Sequence, residues 1–299
     1  MERHRLLGLS PAGFHHLSYV VWRPTHGGEA GPASGSSGAG GAGGRVVICV
    51  HGLTRNARDF DFLARALSEA GFLVVSADMA GRGQSDWLAA PEGYALPQYC
   101  ADAAALIARL DVERVDWVGT SMGGLIGMSL AAQPKSPIGR LVINDIGPFV
   151  PKAALARIAD YAGADPGFAD LAEAEAYLRE VHAPFDLSDA QWRHLAEHSV
   201  RPAGAAGGLR LHYDPAVIQT FGAAPFEDVD LWALWDRITQ DVLVLRGADS
   251  DVLLAETAAE MAARGPRAEV VEIAGCGHAP GLMAPRQTAL VRDWLLAAD

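Results

Sequence analysis

The sequence predicts an α/β fold in which a mostly parallel central sheet carries helices on both faces and a helical insertion interrupts the later half of the chain. Three observations carry this. Through the first half, apolar strand-like runs alternate with helix-like segments, the pattern of parallel strands joined by crossover helices. One of those strands ends in Gly119-Thr120-Ser121-Met122-Gly123, a Gly-x-Ser-x-Gly turn opening directly into a helix. Between Pro148 and Gln240 the alternation stops, and strands resume only afterwards.

The first strand runs from Phe14 to Trp22. Residues 24–44 are dominated by Gly, Ala, Ser and Pro with almost nothing apolar to bury, so they read as a flexible, expanded connection. Their glycines make no dinucleotide fingerprint, which needs a strand before it and a helix after it, whereas Arg45 to Val50 is itself a strand. Next, Phe60, Leu63, Ala64, Leu67 and Ala70 share one helical face, and Gly71 ends that helix. A strand from Phe72 to Asp78, a helix from about Cys100 to Leu110, the strand from Val115, its buried helix Leu125 to Ala132, and the strand Leu141 to Asn144 complete the first half. Residues 148–240 offer helices near Lys152 to Tyr161, Phe168 to Val181, Asp189 to His198 and Leu231 to Ile238, with no convincing strand. Strands at Val242 to Leu245 and Ala268 to Ile273 restore the pattern. The expected division is therefore a core of residues 1–147 and 241–299, interrupted by the insertion 148–240.

The chemistry-bearing residues fall just past strand ends, where open α/β sheets keep their sites. A serine on a sharp strand-to-helix bend projects its hydroxyl into open space, and Gly119 and Gly123 remove the Cβ atoms that would collide there. After the strand ending at Val50, His51-Gly52-Leu53 turns away, so the NH of Leu53 is expected beside that of Met122 as an oxyanion hole. His278, bracketed in Gly275-Cys276-Gly277-His278, supplies a base on a loop. An acid to orient it is available at Asp249 or Asp251 after the strand Val242 to Leu245, with Asp145, at the end of the preceding sheet strand, as a third possibility.

At these residues the sequence resembles the α/β-hydrolase superfamily over nearly its whole length, including Asp78-Met79-Ala80-Gly81-Arg82-Gly83-Gln84-Ser85, which is similar to that family's Asp-x-x-Gly-x-Gly-x-Ser turn. The resemblance implies Ser121 as nucleophile, His278 as base and, because Val252-Leu253-Leu254 follows it, Asp251 as the favoured acid over Asp249 and Asp145. It implies that residues 148–240 form a cap shaping the substrate pocket. Hydrolysis of carboxylic esters, thioesters or lactones follows, without metal or organic cofactor. An alternative is carbon–carbon bond hydrolysis of ring-cleavage diketones, for which Arg55 or Arg58 would supply a carboxylate partner. A second is a ligand-binding protein without turnover on the same scaffold.

Charge and composition narrow the partners. Against 24 Lys and Arg stand 36 Asp and Glu, a net charge of −12, which opposes phosphate backbones and anionic membranes. No apolar run approaches the ~20 residues of a bilayer span, and Met1 to Ser10 has no signal-like character, so a cytoplasmic small-molecule enzyme is expected. Three cysteines carry no framework spacing, and Cys276 reads as a small buried filler. His194-Leu195-Ala196-Glu197-His198 matches His-x-x-Glu-His, but no third ligand is evident, so a solvated helix face is the expected reading and no metal is assigned. Oligomeric state is left open.

Overall fold

A computed structural model describes residues 1–25, 44–182, 184–185, 187–204, 207–221 and 225–297. Six strands precede the insertion: β1 (Glu2–Ser10), β2 (Gly13–Trp22), β3 (Val46–Val50), β4 (Leu73–Ala77), β5 (Val115–Thr120) and β6 (Ile138–Asn144). Helices α1 (Asp61–Glu69), α2 (Leu96–Leu110) and α3 (Met122–Ala131) connect them from β3 onward. The insertion comprises β7 (Phe149–Val150), α4 (Lys152–Ala162), β8 (Gly167–Phe168), α5 (Leu171–Val181), α6 (Asp189–Ser199), β9 (Val200–Pro202), β10 (Leu209–Leu211), β11 (Val229–Asp230) and α7 (Trp232–Trp235). The chain then returns through β12 (Asp241–Gly247), α8 (Ala255–Ala263), β13 (Glu269–Ile273) and α9 (Pro285–Leu296).

Eight strands make the central sheet in the order β1-β2-β4-β3-β5-β6-β12-β13. Only the β1/β2 and β2/β4 pairs are antiparallel, and every pair from β4 across to β13 is parallel. All five residues of β3 and all five of β4 are buried, as strands covered on both faces require. Alternate side chains divide between two cores. Val47, Cys49, Val118, Val142 and Leu243 pack with Leu63 and Leu67 of α1 and Val291 and Leu295 of α9. Ile48, Val50, Trp117, Leu141 and Ile143 pack on the opposite face with Leu106 of α2 and Met128 of α3.

The structure departs from the sequence reading at the elements with the weakest periodicity. β1 was not expected as a strand: its Leu7 and Leu9 face solvent, so no apolar alternation marks it. The insertion is not purely helical, because β8, β10 and β9 form a small antiparallel sheet and β11 pairs with β7. Strands of two or three residues are too short to show a period. Of the expected flexible connection 24–44, residues 26–43 lie outside the described residues. No helix among the described residues is long and apolar enough to cross a membrane.

Candidate active site

The serine sits where the sterics of β5 and α3 are tightest. Ser121 has φ 50° and ψ −114°, a left-handed conformation that a side chain adopts only under constraint. The constraint is visible on both sides. A Cβ on Gly119 would lie 2.2 Å from the carbonyl oxygen of Gly123, and one on Gly123 would lie 2.0 Å from that of Val50. The Ser121 NH donates to the carbonyl of Asn144 at 2.9 Å, and the Trp117 indole NH donates to that of Gly123 at 2.9 Å. The elbow is thus pinned to β6 and to its own strand.

From Ser121 a hydrogen-bonded series runs inward. Its Oγ lies 2.8 Å from His278 Nε2, and His278 Nδ1 lies 2.8 Å from Asp145 Oδ2. Asp145 is fully buried immediately after β6 and, like Ser121, has a positive φ, at 60°. Its carboxylate also accepts from the Gly247 NH at 2.7 Å and the Ser250 hydroxyl at 2.6 Å. Charge-assisted bonds of this kind stabilise a buried carboxylate and fix its direction. Asn144 steadies the histidine loop, its amide donating to the carbonyl of Pro280 at 2.8 Å and to Thr120 Oγ1 at 3.0 Å.

The favoured acid of the sequence reading, Asp251, stands elsewhere. It is half exposed and ion-paired with Arg157 of α4, whose Nη2 lies 2.9 Å from its carboxylate. Asp249 is exposed, and its backbone NH donates to the carbonyl of Cys276 at 2.9 Å. The position facing His278 Nδ1 belongs to Asp145. The loop after β12 contributes Ser250 and the Gly247 NH instead, both aimed at Asp145. Sequence reasoning passed over Ser250 because a serine between two aspartates carries no signal of its own.

Opposite His278, the turn after β3 is held by groups the sequence left without a role. His51 is fully buried, and burial, only partly offset by its Gly52 partner, lowers its pKa to about 3. The neutral ring accepts the Met79 NH on Nε2 at 3.0 Å, so Nδ1 carries the proton and donates to the Gly52 carbonyl at 2.7 Å. Arg82 is also fully buried. Its Nε donates to the Leu53 carbonyl at 2.7 Å, its Nη1 to Ala80 and to the Tyr99 hydroxyl, both at 2.7 Å, and its Nη2 lies 3.4 Å from the Met122 sulfur. One guanidinium therefore grips both Leu53 and Met122. Asp78 completes the turn by accepting from the NH groups of Ala57 at 2.8 Å and Gln84 at 3.0 Å, and burial pushes its pKa up to about 6.

Ser121 and His278 open onto a cavity of about 570 Å³ lined by Leu53 and Met122, by Leu125 and Ile146 of the core, and by Leu155, Ile158, Phe185 and Phe221 of the insertion. A few polar groups interrupt this apolar wall. Arg55 lines the cavity, but its guanidinium is engaged with both oxygens of Asp59, at 2.8 and 2.7 Å, and with Ser199 Oγ at 2.8 Å. Arg58 is not among the lining residues and is bound to Asp61. His182 also faces the cavity, stacked on Phe185 and edge-on to Tyr161, and burial lowers its pKa to about 3. Cys276 is buried, as a filler would be, and so is Cys49, whose thiol pKa burial pushes up, away from nucleophile chemistry.

The α/β hydrolase fold family matches residues 45–285, and the chain belongs to that family. It is a hydrolase of that fold. A 3-hydroxybutyrate-oligomer hydrolase of Cupriavidus necator is 44% identical over 298 residues, covering 97% of this chain and 96% of that protein. A 2-(acetamidomethylene)succinate hydrolase of Mesorhizobium japonicum is 30% identical over 81% of this chain and 84% of its own length. Among solved structures, a putative hydrolase from Rickettsia typhi superposes with a TM-score of 0.87 at 31% identity, covering 100% of both chains. An α/β hydrolase from Novosphingobium aromaticivorans gives 0.82 at 34% identity, over 99% of each chain.

Proposed function

We propose that this protein hydrolyses carboxylic esters through an acyl-enzyme on Ser121, and that its substrates are short oligoesters of hydroxyacids of the 3-hydroxybutyrate type. The reading is carried by the Ser121–His278–Asp145 series opening into an apolar cavity. The substrate class rests on the 44% identity to the 3-hydroxybutyrate-oligomer hydrolase across almost the whole of both chains. A volume of about 570 Å³ suits a small or medium-sized ester, within the usual range of about 300–1,000 Å³ for small-molecule sites.

The chemistry follows from the groups. Ser121 Oγ attacks the ester carbonyl carbon while His278 Nε2 takes its proton. Asp145 holds the Nδ1–H tautomer and stabilises the imidazolium that forms. Negative charge developing on the carbonyl oxygen is met by the NH groups of Leu53 and Met122, the latter at the amino terminus of α3. The intermediate collapses, the carbon–oxygen bond to the alcohol breaks, and His278 returns the proton to the departing alkoxide. Water then repeats the attack, with His278 again as base, releasing the free acid and Ser121. No other reactant is needed.

Residues 148–240 act in this account as a cap that closes the acyl pocket over the serine. Diketone hydrolysis is less well supported, because Arg55 is already committed to Asp59 and Arg58 to Asp61. A panel of 3-hydroxybutyrate dimer and trimer, simple aryl esters and a ring-cleavage diketone tests the reading. Oligomer hydrolysis is expected, with Ser121→Ala lowering turnover by up to about 10⁶-fold while the chain stays folded. Wild-type turnover in Ser121→Ala, or cleavage of the diketone alone, overturns it.

A further inference from the structure

The His-x-x-Glu-His stretch of α6 lacks a third ligand in sequence, and the fold supplies one. His194 and His198 lie one turn apart on α6, ring centroids 4.6 Å apart. Asp61, in the first turn of α1, brings its Oδ2 to 3.5 Å from His194 Nε2, although 133 positions separate the two in sequence. One ligand atom from each of Asp61, His194 and His198 lies within 4.8 Å of the others. Zinc–nitrogen and zinc–oxygen bonds of about 2.0–2.2 Å put tetrahedral ligand atoms about 3.3–3.5 Å apart, so the Asp61–His194 pair at 3.5 Å already has the required spacing, and His198 lies within 4.8 Å of both.

We propose that Asp61, His194 and His198 bind a divalent transition metal of the zinc, cobalt or nickel type, and that the bound metal clamps α6 of the insertion onto α1 of the core. Two imidazoles and a carboxylate form a borderline donor set that suits these ions rather than magnesium or calcium. His198 and Arg58 also border a polar cleft of about 300 Å³ shared with Glu197 and His212. Of the three ligands His198 borders this cleft, which opens the site to solvent on the His198 side.

In the absence of metal, Arg58 holds the ligands. Its guanidinium binds both oxygens of Asp61, with Nε at 3.0 and 2.8 Å, and its carbonyl accepts from His194 Nε2 at 3.0 Å. The metal displaces that guanidinium from Asp61 and that carbonyl from His194. Arg58 is therefore a competitor for the site, and removing its charge strengthens metal binding.

The test is calorimetric titration of the chelator-treated full chain with zinc chloride, alongside the electronic absorption spectrum of the cobalt(II) form and the melting temperature with and without metal. One metal per chain, a tetrahedral cobalt spectrum and a rise in melting temperature on saturation are expected. His194→Ala and His198→Ala each weaken binding by about tenfold or more, and Arg58→Gln tightens it. Ester turnover without metal reports that these variants are folded. Ser121→Ala and His278→Ala bind zinc like the wild type, which separates this site from the serine site. Absence of one-to-one binding, or full-strength binding in both His194→Ala and His198→Ala, overturns the proposal. So does zinc binding abolished by His278→Ala.

Discussion

The floor of the cavity and its roof are made by opposite means. Beneath Ser121 the backbone is over-determined: a Cβ at Gly119 or Gly123 meets backbone at about 2 Å, and Arg82, His51 and Asp145 are each buried and multiply bonded. The roof is assembled from strands of two or three residues and helices whose polar contacts lie near solvent, such as Arg157 with Asp251 and Arg179 with Glu175. Backbone conformation at the serine is thus fixed by steric exclusion and buried hydrogen bonds, whereas the roof is held by short strand pairs and partly exposed ion pairs. A change in the roof is therefore expected to alter the cavity wall without disturbing the elbow.

The sharpest way to break the comparison is to neutralise in turn Asp145, buried in the floor, and Asp251, the core carboxylate that holds Arg157 of the roof. Asp145→Asn is expected to lower kcat by about 10⁴-fold through loss of the correct imidazole tautomer, as in other serine triads. Asp251→Asn and Asp249→Asn stay within a small factor of wild type, since an exposed ion pair is worth about 0–1 kcal/mol. Rates at matched folded fractions decide it, and a larger loss at Asp251 would return the acid to the loop after β12.

A second test concerns the oxyanion side. Arg82 is a positioning residue, gripping the Leu53 carbonyl and the Met122 sulfur without meeting substrate. Arg82→Lys keeps the charge but loses the fork, and kcat should fall by about 10–100-fold with KM little changed, short of the 10²–10³ lost when an oxyanion donor is deleted outright. Equal loss in KM would instead mean that the variant disrupts the pocket generally.

A third test concerns stability against pH. His51 and His182 both have folded pKa values lowered to about 3, so the unfolded chain binds protons below about pH 6.5 that the folded chain refuses. Their contribution to stability is complete above that pH and declines as pH falls towards 3, by about 1.4 kcal/mol per pH unit for each histidine once the unfolded state is protonated. Urea unfolding at several pH values should show the decline, and His182→Gln should remove one proton from the slope. An unchanged slope in that variant would show that the roof histidine titrates freely.

How much was legible follows the same division. Gly119-x-Ser121-x-Gly123 and the glycine-bracketed His278 were readable because steric exclusion demands particular residues at particular spacings. Asp145 was harder. Its left-handed backbone and its partners Gly247 and Ser250 are tertiary facts, and an aspartate after a strand looks like any loop-capping carboxylate. The apolar step after Asp251 pointed to the loop that supplies the Asp145 partners Gly247 and Ser250. The neighbourhood of Asp61 and His194 was invisible for a related reason, since nothing in sequence registers α1 against α6. Helices α4 to α6 announced themselves by periodicity, whereas β7 to β11 were too short to do so.

The account rests on Ser121 as the group that becomes acylated, and the most direct measurement is trapping it. Treatment with a phosphonate ester followed by peptide mapping should yield one covalent adduct per chain, on Ser121, together with complete loss of ester turnover. The adduct should be strongly slowed in His278→Ala. Inactivation with the label on another residue, or full labelling at Ser121 with turnover intact, would contradict it.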